Sequence, residues 1–249
     1  MRLDHATWPE VEAYLAQNRG ILLPTGSIEQ HGPMGLVGTD AFCAELIAEQ
    51  AARLVDAMVA PVIAYAPAPF NTAFPGTVSI SSELFQRLAT EILTGLAAQG
   101  FHRIYILNAH GANIEPLKLA AATQRSGTVR IRSWWDFPAV NDLRHNFFGD
   151  WEGMHATPSE ISITQAEVRL VNSADATDPP ANLDAAFMAA HAGDRHGPPD
   201  THRAMFPDGR VGSHSALADP AIGKSLLKAA ADAVAADYLS FANGALVGQ

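Results

Sequence analysis

Cysteine is all but missing from these 249 residues: Cys43 stands alone, so no disulfide can close within the chain and the fold must be held by burial. A reducing, cytoplasmic location is the expectation that follows. Positive charge is scarce as well. Sixteen Lys and Arg against 26 Asp and Glu leave a formal charge of −10, which argues against nucleic acid or an anionic membrane as partner, since both select basic patches. The longest apolar stretch, residues 57–70, is interrupted by Pro61, Pro67 and Pro69 and cannot make a membrane helix. The first residues carry Asp4, Glu10 and Glu12 and no apolar segment of the kind a signal peptide needs. No repeat, linker or low-complexity tract breaks the chain. What remains, 48% hydrophobic and 17% charged, is the balance of an ordinary globule. Its length suits one sizeable α/β core, so a single domain over 1–249 is expected.

Periodicity alternates between helix and strand. Thr7-Trp8-Pro9-Glu10 is a capping box, and Val11, Tyr14 and Leu15 then repeat at helical spacing. Ile21 to Leu23 reads as a buried strand. Phe42, Leu46, Ile47 and Leu54 lay one apolar face along a second helix, with Asp40 at its start, where the dipole favours a carboxylate. A strand is expected over Val59 to Tyr65. Ser81 or Ser82 caps a helix whose Leu84, Leu88, Ile92 and Leu96 should face inward, with Gly100 suited to its C-terminal left-handed position. Phe101–Leu107 follows as a strand, then a helix from about Ile114 to Gln124, then an alternating strand over Val129–Trp134. Residues 136–153 read as an aromatic-rich loop. Thr157-Pro158-Ser159-Glu160 is a second capping box that opens a helix through Val168. Residues 171–215 read as irregular, with a short helix over Ala181–His191. A last helix over Pro220–Phe241 carries Ile222, Leu226, Leu227, Ala230, Val234, Tyr238 and Leu239 on one side. The fold class expected is α/β, three-layered, with a mostly parallel sheet between helices on both faces. Such a fold delivers the loops after several strands to one edge.

Three of those loops carry chemistry. Leu22 to Pro33, continuing to Thr39-Asp40, sets Glu29, His31 and Asp40 on a Gly/Pro-punctuated loop after the first strand. These are hard or borderline donors of the kind that hold Zn, Mn or Fe. Asn108-Ala109-His110-Gly111-Ala112-Asn113 ends another apolar run, and His155-Ala156-Thr157-Pro158-Ser159-Glu160 opens a helix. Each alone has an ordinary reading: His31 and His110 as loop histidines, Glu160 as a helix cap.

Together and in this order the three segments resemble the creatininase (creatinine amidohydrolase) family, whose members carry E-x-H-G-P and G-T-D, then N-G-H-G-x-N, then H-x-x-x-x-E-x-S. Phe74-Pro75-Gly76-Thr77 matches a further family loop, and 209–224 is a weaker match. The resemblance implies two divalent ions, Zn2+ and/or Mn2+ with Fe2+ also admissible. It puts Glu29 and His110 on one, His31 on the other, and Asp40 between them. Creatininase itself has a glutamate where this chain has Ala112. In relatives with a small residue there the glutamate of the last motif takes over, which makes Glu160 the remaining candidate ligand. His155 matches the catalytic histidine, and Trp151 falls where creatininase has a tryptophan that closes over substrate. Asn71, Thr77 and Gly111 are further candidates for substrate contact. Many members have histidine in place of Met34, and its absence argues against creatinine itself as the substrate.

The activity so implied is hydrolysis of a C–N bond in a small amide, cyclic amide or formamide by a hydroxide held between the ions, with a homo-oligomer, commonly a hexamer, as the assembly. A metallopeptidase trimming a short peptide and a non-catalytic metal-binding assembly protein are the alternatives. His155 weighs against the last, because a scaffold has no use for a proton carrier. His191, His196, His202 and His214 fit no common zinc spacing and read as solvated loop. Gly223-Lys224-Ser225 lacks the earlier glycine of a phosphate loop, and Cys43 sits within a helix with no nucleophile elbow nearby.

Overall fold

The computed structural model describes residues 1–171, 176–193 and 195–244. Its sheet, among the described residues, has four parallel strands in the order β2-β1-β3-β4, with β1 Gly20–Thr25, β2 Met58–Val59, β3 Arg103–Asn108 and β4 Thr128–Ser133. Alternate side chains leave a strand on opposite faces, and both faces are covered here. Leu22, Tyr105 and Leu107 pack against α2 (Thr39–Val55), α5 (Pro138–Phe148), α6 (Pro158–Glu167) and α9 (Pro220–Asn243). Ile21, Leu23, Ile104 and Ile106 pack on the other side against α3 (Ser82–Ala98) and α4 (Ile114–Ala122), with Tyr14 and Leu15 of α1 (Trp8–Leu15) at the rim. This is the three-layer α/β arrangement expected from the alternation of elements.

Register positions the site. Thr25 pairs with Asn108 and Asn108 with Ser133, so three polar residues end their strands at one level. Thr25 Oγ1 donates to Asn108 Oδ1 at 3.1 Å, and Asn108 Nδ2 donates to Ser133 Oγ at 3.2 Å. The apolar layer therefore stops in a hydrogen-bonded row, and the loops above it start from fixed points.

Several expectations need correction. The strand over Val59–Tyr65 shrinks to Met58–Val59, because Pro61 has no N–H to give a ladder; beyond it only an isolated bridge joins Ile63 to Thr25. In α3 the buried stripe is Phe85, Ala89, Leu93 and Ala97, one residue on from the stripe read from the leucines, and Leu84 is half exposed. Both stripes run at four-residue spacing, and the sheet chose the one with small residues, which lets the helix approach closely. The same preference turns Cys43, Ala44, Ile47, Ala48 and Ala51 of α2 inward and leaves Leu54 exposed, while Leu239 of α9 is exposed too.

Residues 136–153 are not a loop. Pro138 starts α5, whose Val140 and Phe148 are buried, and a 3-10 turn follows over Gly149–Glu152. Within 171–215 the expected short helix is α7, Ala185–His191, capped by Asp184, and α8, Pro199–Met205, is an addition. Residues 172–175 and 194 of that segment lie outside the described residues. The reading of its histidines as solvated fails for two of them. His196 and His202 are buried, with ring centroids 4.7 and 5.1 Å from that of Phe70. No helix among the described residues is long and apolar enough to cross a membrane.

Candidate metal centre

Gly26 turns the chain out of β1 directly against the start of α2. A Cβ on it would meet the backbone nitrogen of Ala41 at 2.4 Å, so only glycine allows this approach. Asp40, in the first turn of α2, is thereby brought beneath the loop that carries Glu29 and His31. Ser27 Oγ donates to Asp40 Oδ2 at 2.8 Å and fixes the carboxylate. From β3, Asn108 Nδ2 donates to the carbonyl of His110, and Asn113 Nδ2 donates to the carbonyl of Gly26, so the second motif folds onto the first. The third motif is pinned from the C-terminal side. His155 bridges Val211, and Ala156 takes a φ of +58°, an uncommon conformation for alanine at the joint before α6.

The result is convergence. Glu29, Asp40 and His110 form one group of donors, and His31, Asp40 and Glu160 a second. Within each the atoms able to hold a metal lie within 4.8 Å of one another, and Asp40 is common to both. Glu29 and His31 also group with His155. Asp40 Oδ1 is 2.9 Å from His31 Nε2, and its Oδ2 is 3.0 Å from His110 Nδ1. His110 Nδ1 is 3.1 Å from Glu29 Oε1, and Glu160 Oε1 is 3.9 Å from His31 Nε2. All five side chains are buried.

The far nitrogen of each imidazole meets a backbone carbonyl. His31 Nδ1 donates to the Glu29 carbonyl at 3.0 Å and His110 Nε2 to the Pro67 carbonyl at 2.6 Å. A carbonyl can only accept, so each of these nitrogens carries a proton, and the nitrogen turned toward the carboxylates is the one that would bind a metal on losing its own. Three buried carboxylates and two so oriented imidazoles are a donor set that suits divalent cations.

Electrostatics among these side chains show the strain of that crowding. Burial pushes the Glu160 carboxyl up, Asp40 and Glu152 add to it, and His31 opposes, leaving it at about 7. For His31 burial disfavours the charged ring, yet Asp40, Glu160 and Glu29 outweigh it and push the imidazole up to about 10. Asp40 is also opposed by burial, but His31 and His110 hold it well below the usual carboxylate range.

The other expected residues divide. Asn71 Nδ2 donates to Glu29 Oε2 at 2.9 Å, and Thr77 Oγ1 accepts from the backbone of Gln30 at 3.0 Å; both stand behind the ligand loop as supports. Gly111 lines a cavity of about 190 Å3 that reaches Glu160, and Trp134, Trp135, Arg144 and Met154 form much of its wall. Trp151 is not part of that wall among the described residues and packs instead against His214, ring centroids 5.6 Å apart. Met34 packs into a small cluster with Ala156, Ile161 and Ala176. Glu160 does double duty, since its Oε1 also accepts the Thr157 N–H of the capping box. Gln30 went unread in the sequence, although its Nε2 donates to both Asn71 Oδ1 and the Gly209 carbonyl and so ties the first motif to the C-terminal segment. Its place inside the first motif was the available signal.

Comparison with known proteins bears on the family and the fold. A family model described as creatininase, creatinine amidohydrolase, matches residues 4–238. Creatinine amidohydrolase of Pseudomonas putida is 28% identical over 200 residues, 70% of this chain and 77% of that protein. A mycofactocin precursor peptide peptidase of Mycolicibacterium smegmatis is 37% identical over 111 residues, 42% of this chain and 44% of that protein. A 3-dehydro-scyllo-inosose hydrolase of Thermotoga maritima is 34% identical over 106 residues, 42% of this chain and 34% of that protein. The last two matches thus span less than half of those relatives. Among solved structures, a putative creatinine amidohydrolase from Bacteroides fragilis superposes with a TM-score of 0.77 at 22% identity over 100% of this chain and 98% of that one. A manganese creatininase does so at 0.75 and 23% over 98% and 99%.

Proposed function

The chain belongs to the creatininase family, and from that premise we propose that it is a metal-dependent amidohydrolase that hydrolyses a C–N bond in a small amide, cyclic amide or formamide. The observation that carries this reading is the pair of imidazoles whose far nitrogens donate to backbone carbonyls while their near nitrogens face one shared carboxylate, Asp40. Glu29 and His110 would hold one divalent ion, His31 and Glu160 a second, and Asp40 would bridge them. Bound there, such ions supply Lewis acidity toward a carbonyl oxygen and lower the pKa of water toward ~7.

The protein's own part is to place and move a proton. His155 Nε2 lies 2.7 Å from the Gln30 carbonyl and 3.2 Å from Asn71 Nδ2, whose shorter bond goes to Glu29; with Nε2 donating to the carbonyl, Nδ1 is the basic atom, 3.7 Å from Glu29 Oε1. An imidazole so turned can take a proton from the attacking water and deliver it to the departing nitrogen, which is a poor leaving group until protonated. Burial of the ring, with Phe70 edge-on at 6.1 Å, keeps bulk water from competing for that proton.

Metal analysis of the purified protein, followed by a panel of lactams, formamides and linear amides, tests the reading. Two ions per chain and turnover of at least one amide class that a chelator abolishes are expected. A protein that takes up no divalent ion, or that turns over no amide when loaded, overturns it. Trimming of a short peptide is a second reading, favoured by a wider cavity of about 660 Å3 that shares Gly111 and Gly193 with the smaller one and would take flanking residues. Short peptides in the same panel separate the two.

A further inference from the structure

The cavity that ends on Glu160 has a wall of uneven chemistry. Trp134, Trp135 and Met154 make it apolar, and Arg144 is the one cationic side chain in its lining among the described residues. Its Nε donates to Glu152 Oε1 at 2.8 Å and its Nη1 to Asn141 Oδ1 at 2.8 Å, while its guanidinium carbon lies 5.4 Å from the centre of the Trp134 ring. These bonds fix the planar fork and leave Nη2 uncommitted by any of them.

The anchor of the fork is also tied to the candidate metal centre. Glu152 Oε1, which accepts from Arg144, accepts from Ser159 Oγ as well, and Ser159 precedes Glu160 in the first turn of α6. The guanidinium and the Glu160 carboxylate therefore belong to one hydrogen-bonded frame. Beside them the indole N–H of Trp134 is buried and meets no acceptor among the described residues. Acceptors are present too, in the Glu160 carboxylate and in Glu152 Oε2, which is buried and without a partner among the described residues; with Glu160 given to an ion, as the reading above has it, the guanidinium edge and the unmatched N–H are the donors left for a ligand, and the ligand they suit brings oxygen lone pairs.

We propose that the substrate is a small amide bearing a carboxylate, and that Arg144 binds that carboxylate and so sets the distance from it to the scissile C–N bond. The proposal rests on the amidohydrolase reading above and names its substrate class. A cationic amide would face the guanidinium, and a neutral one would leave its donor edge unmatched. The cavity's small volume limits what can separate the two ends of the substrate.

The test uses metal-loaded full-length protein with matched pairs of ligands, N-formylglycine against N-formylglycinamide and N-acetylglycine against N-acetylglycinamide. Binding is measured by calorimetry and turnover by amine release. The carboxylate member should be preferred, and Arg144→Gln should shrink that preference roughly tenfold to a hundredfold, the range of a charge-assisted hydrogen bond. Arg144→Lys, which keeps the charge and loses the fork, should retain part of it. Metal content of the variants separates this from damage to the centre. No preference in the wild-type protein overturns the proposal, as does a preference that survives Arg144→Gln, which would mean that the ions read the carboxylate. Equal loss for both members of a pair, together with a fall in melting temperature, assigns Arg144 to structure and overturns it as well. A calorimetric preference without turnover of any amide would instead leave the anion site standing and reject the amidohydrolase reading.

Discussion

His31 and Asp40 stand nine positions apart in the chain and 2.9 Å apart in space, Nε2 to Oδ1. The remaining oxygen of the same carboxylate faces His110. One short side chain in the first turn of α2 thus sits between donors from two loops, and this is the geometry a bridging ligand requires.

Replacement of Asp40 by asparagine should therefore empty both positions together, because the amide offers each side at most a neutral donor in a buried site. Metal content per chain, measured after dialysis against metal-free buffer, is the readout. A variant that still holds two ions would show that Asp40 does not bridge.

His155 lies beside the ligands, with its ring centroid 4.6 Å from that of His31. Its replacement by alanine should leave metal content intact and lower turnover by roughly 10²- to 10⁴-fold, the usual worth of a positioned acid–base group. Full turnover in that variant would mean the proton travels by another route.

Metal uptake should release protons and strengthen as pH rises. Their protein surroundings push His31 up to about 10 and Glu160 to about 7, so at about pH 6 both must give up a proton to bind, and at about pH 8 only His31 must. Asp40, held low, gives up none. Both raised groups also contribute stability that is fully present below their unfolded values and lost as pH rises through about 7 for Glu160 and about 10 for His31. Chelated protein should accordingly melt lower at alkaline pH than at mildly acidic pH, and metal should cancel the loss. Calorimetry in buffers of differing ionisation enthalpy counts the protons, and an uptake with no proton release at either pH would refute the assignment.

The face of α3 gives a test of packing. Phe85 is fully buried and Leu84 is half exposed, so Phe85→Ala should cost about 3–5 kcal/mol and Leu84→Ala less than about 1 kcal/mol. Chemical denaturation of the two variants reads the difference, and equal costs would place the helix in the other rotation.

The sequence alone carried the alternation of elements, and so the layered α/β fold, because periods of two and of 3.6 are written in side chains that must be buried whatever surrounds them. It also offered Glu29, His31 and Asp40 as donors on one loop, while His110, His155 and Glu160 became candidates through the resemblance of three motifs in family order, since each alone has an ordinary reading. The choice between competing faces was decided in three dimensions. In α2 and α3 the helix turned its small residues to the sheet and left larger ones outside, a choice that depends on the distance between layers. His196 and His202 were polar by composition and became buried when Phe70 gave them an aromatic surface to pack on. Arg144, too, reads as one more polar position of a helix until folding sets it in a cavity wall beside Trp134, 5.4 Å from the ring, and on the same frame as Glu160. Local pattern fixes what each segment can become, and only the meeting of distant segments fixes which of its side chains share a space.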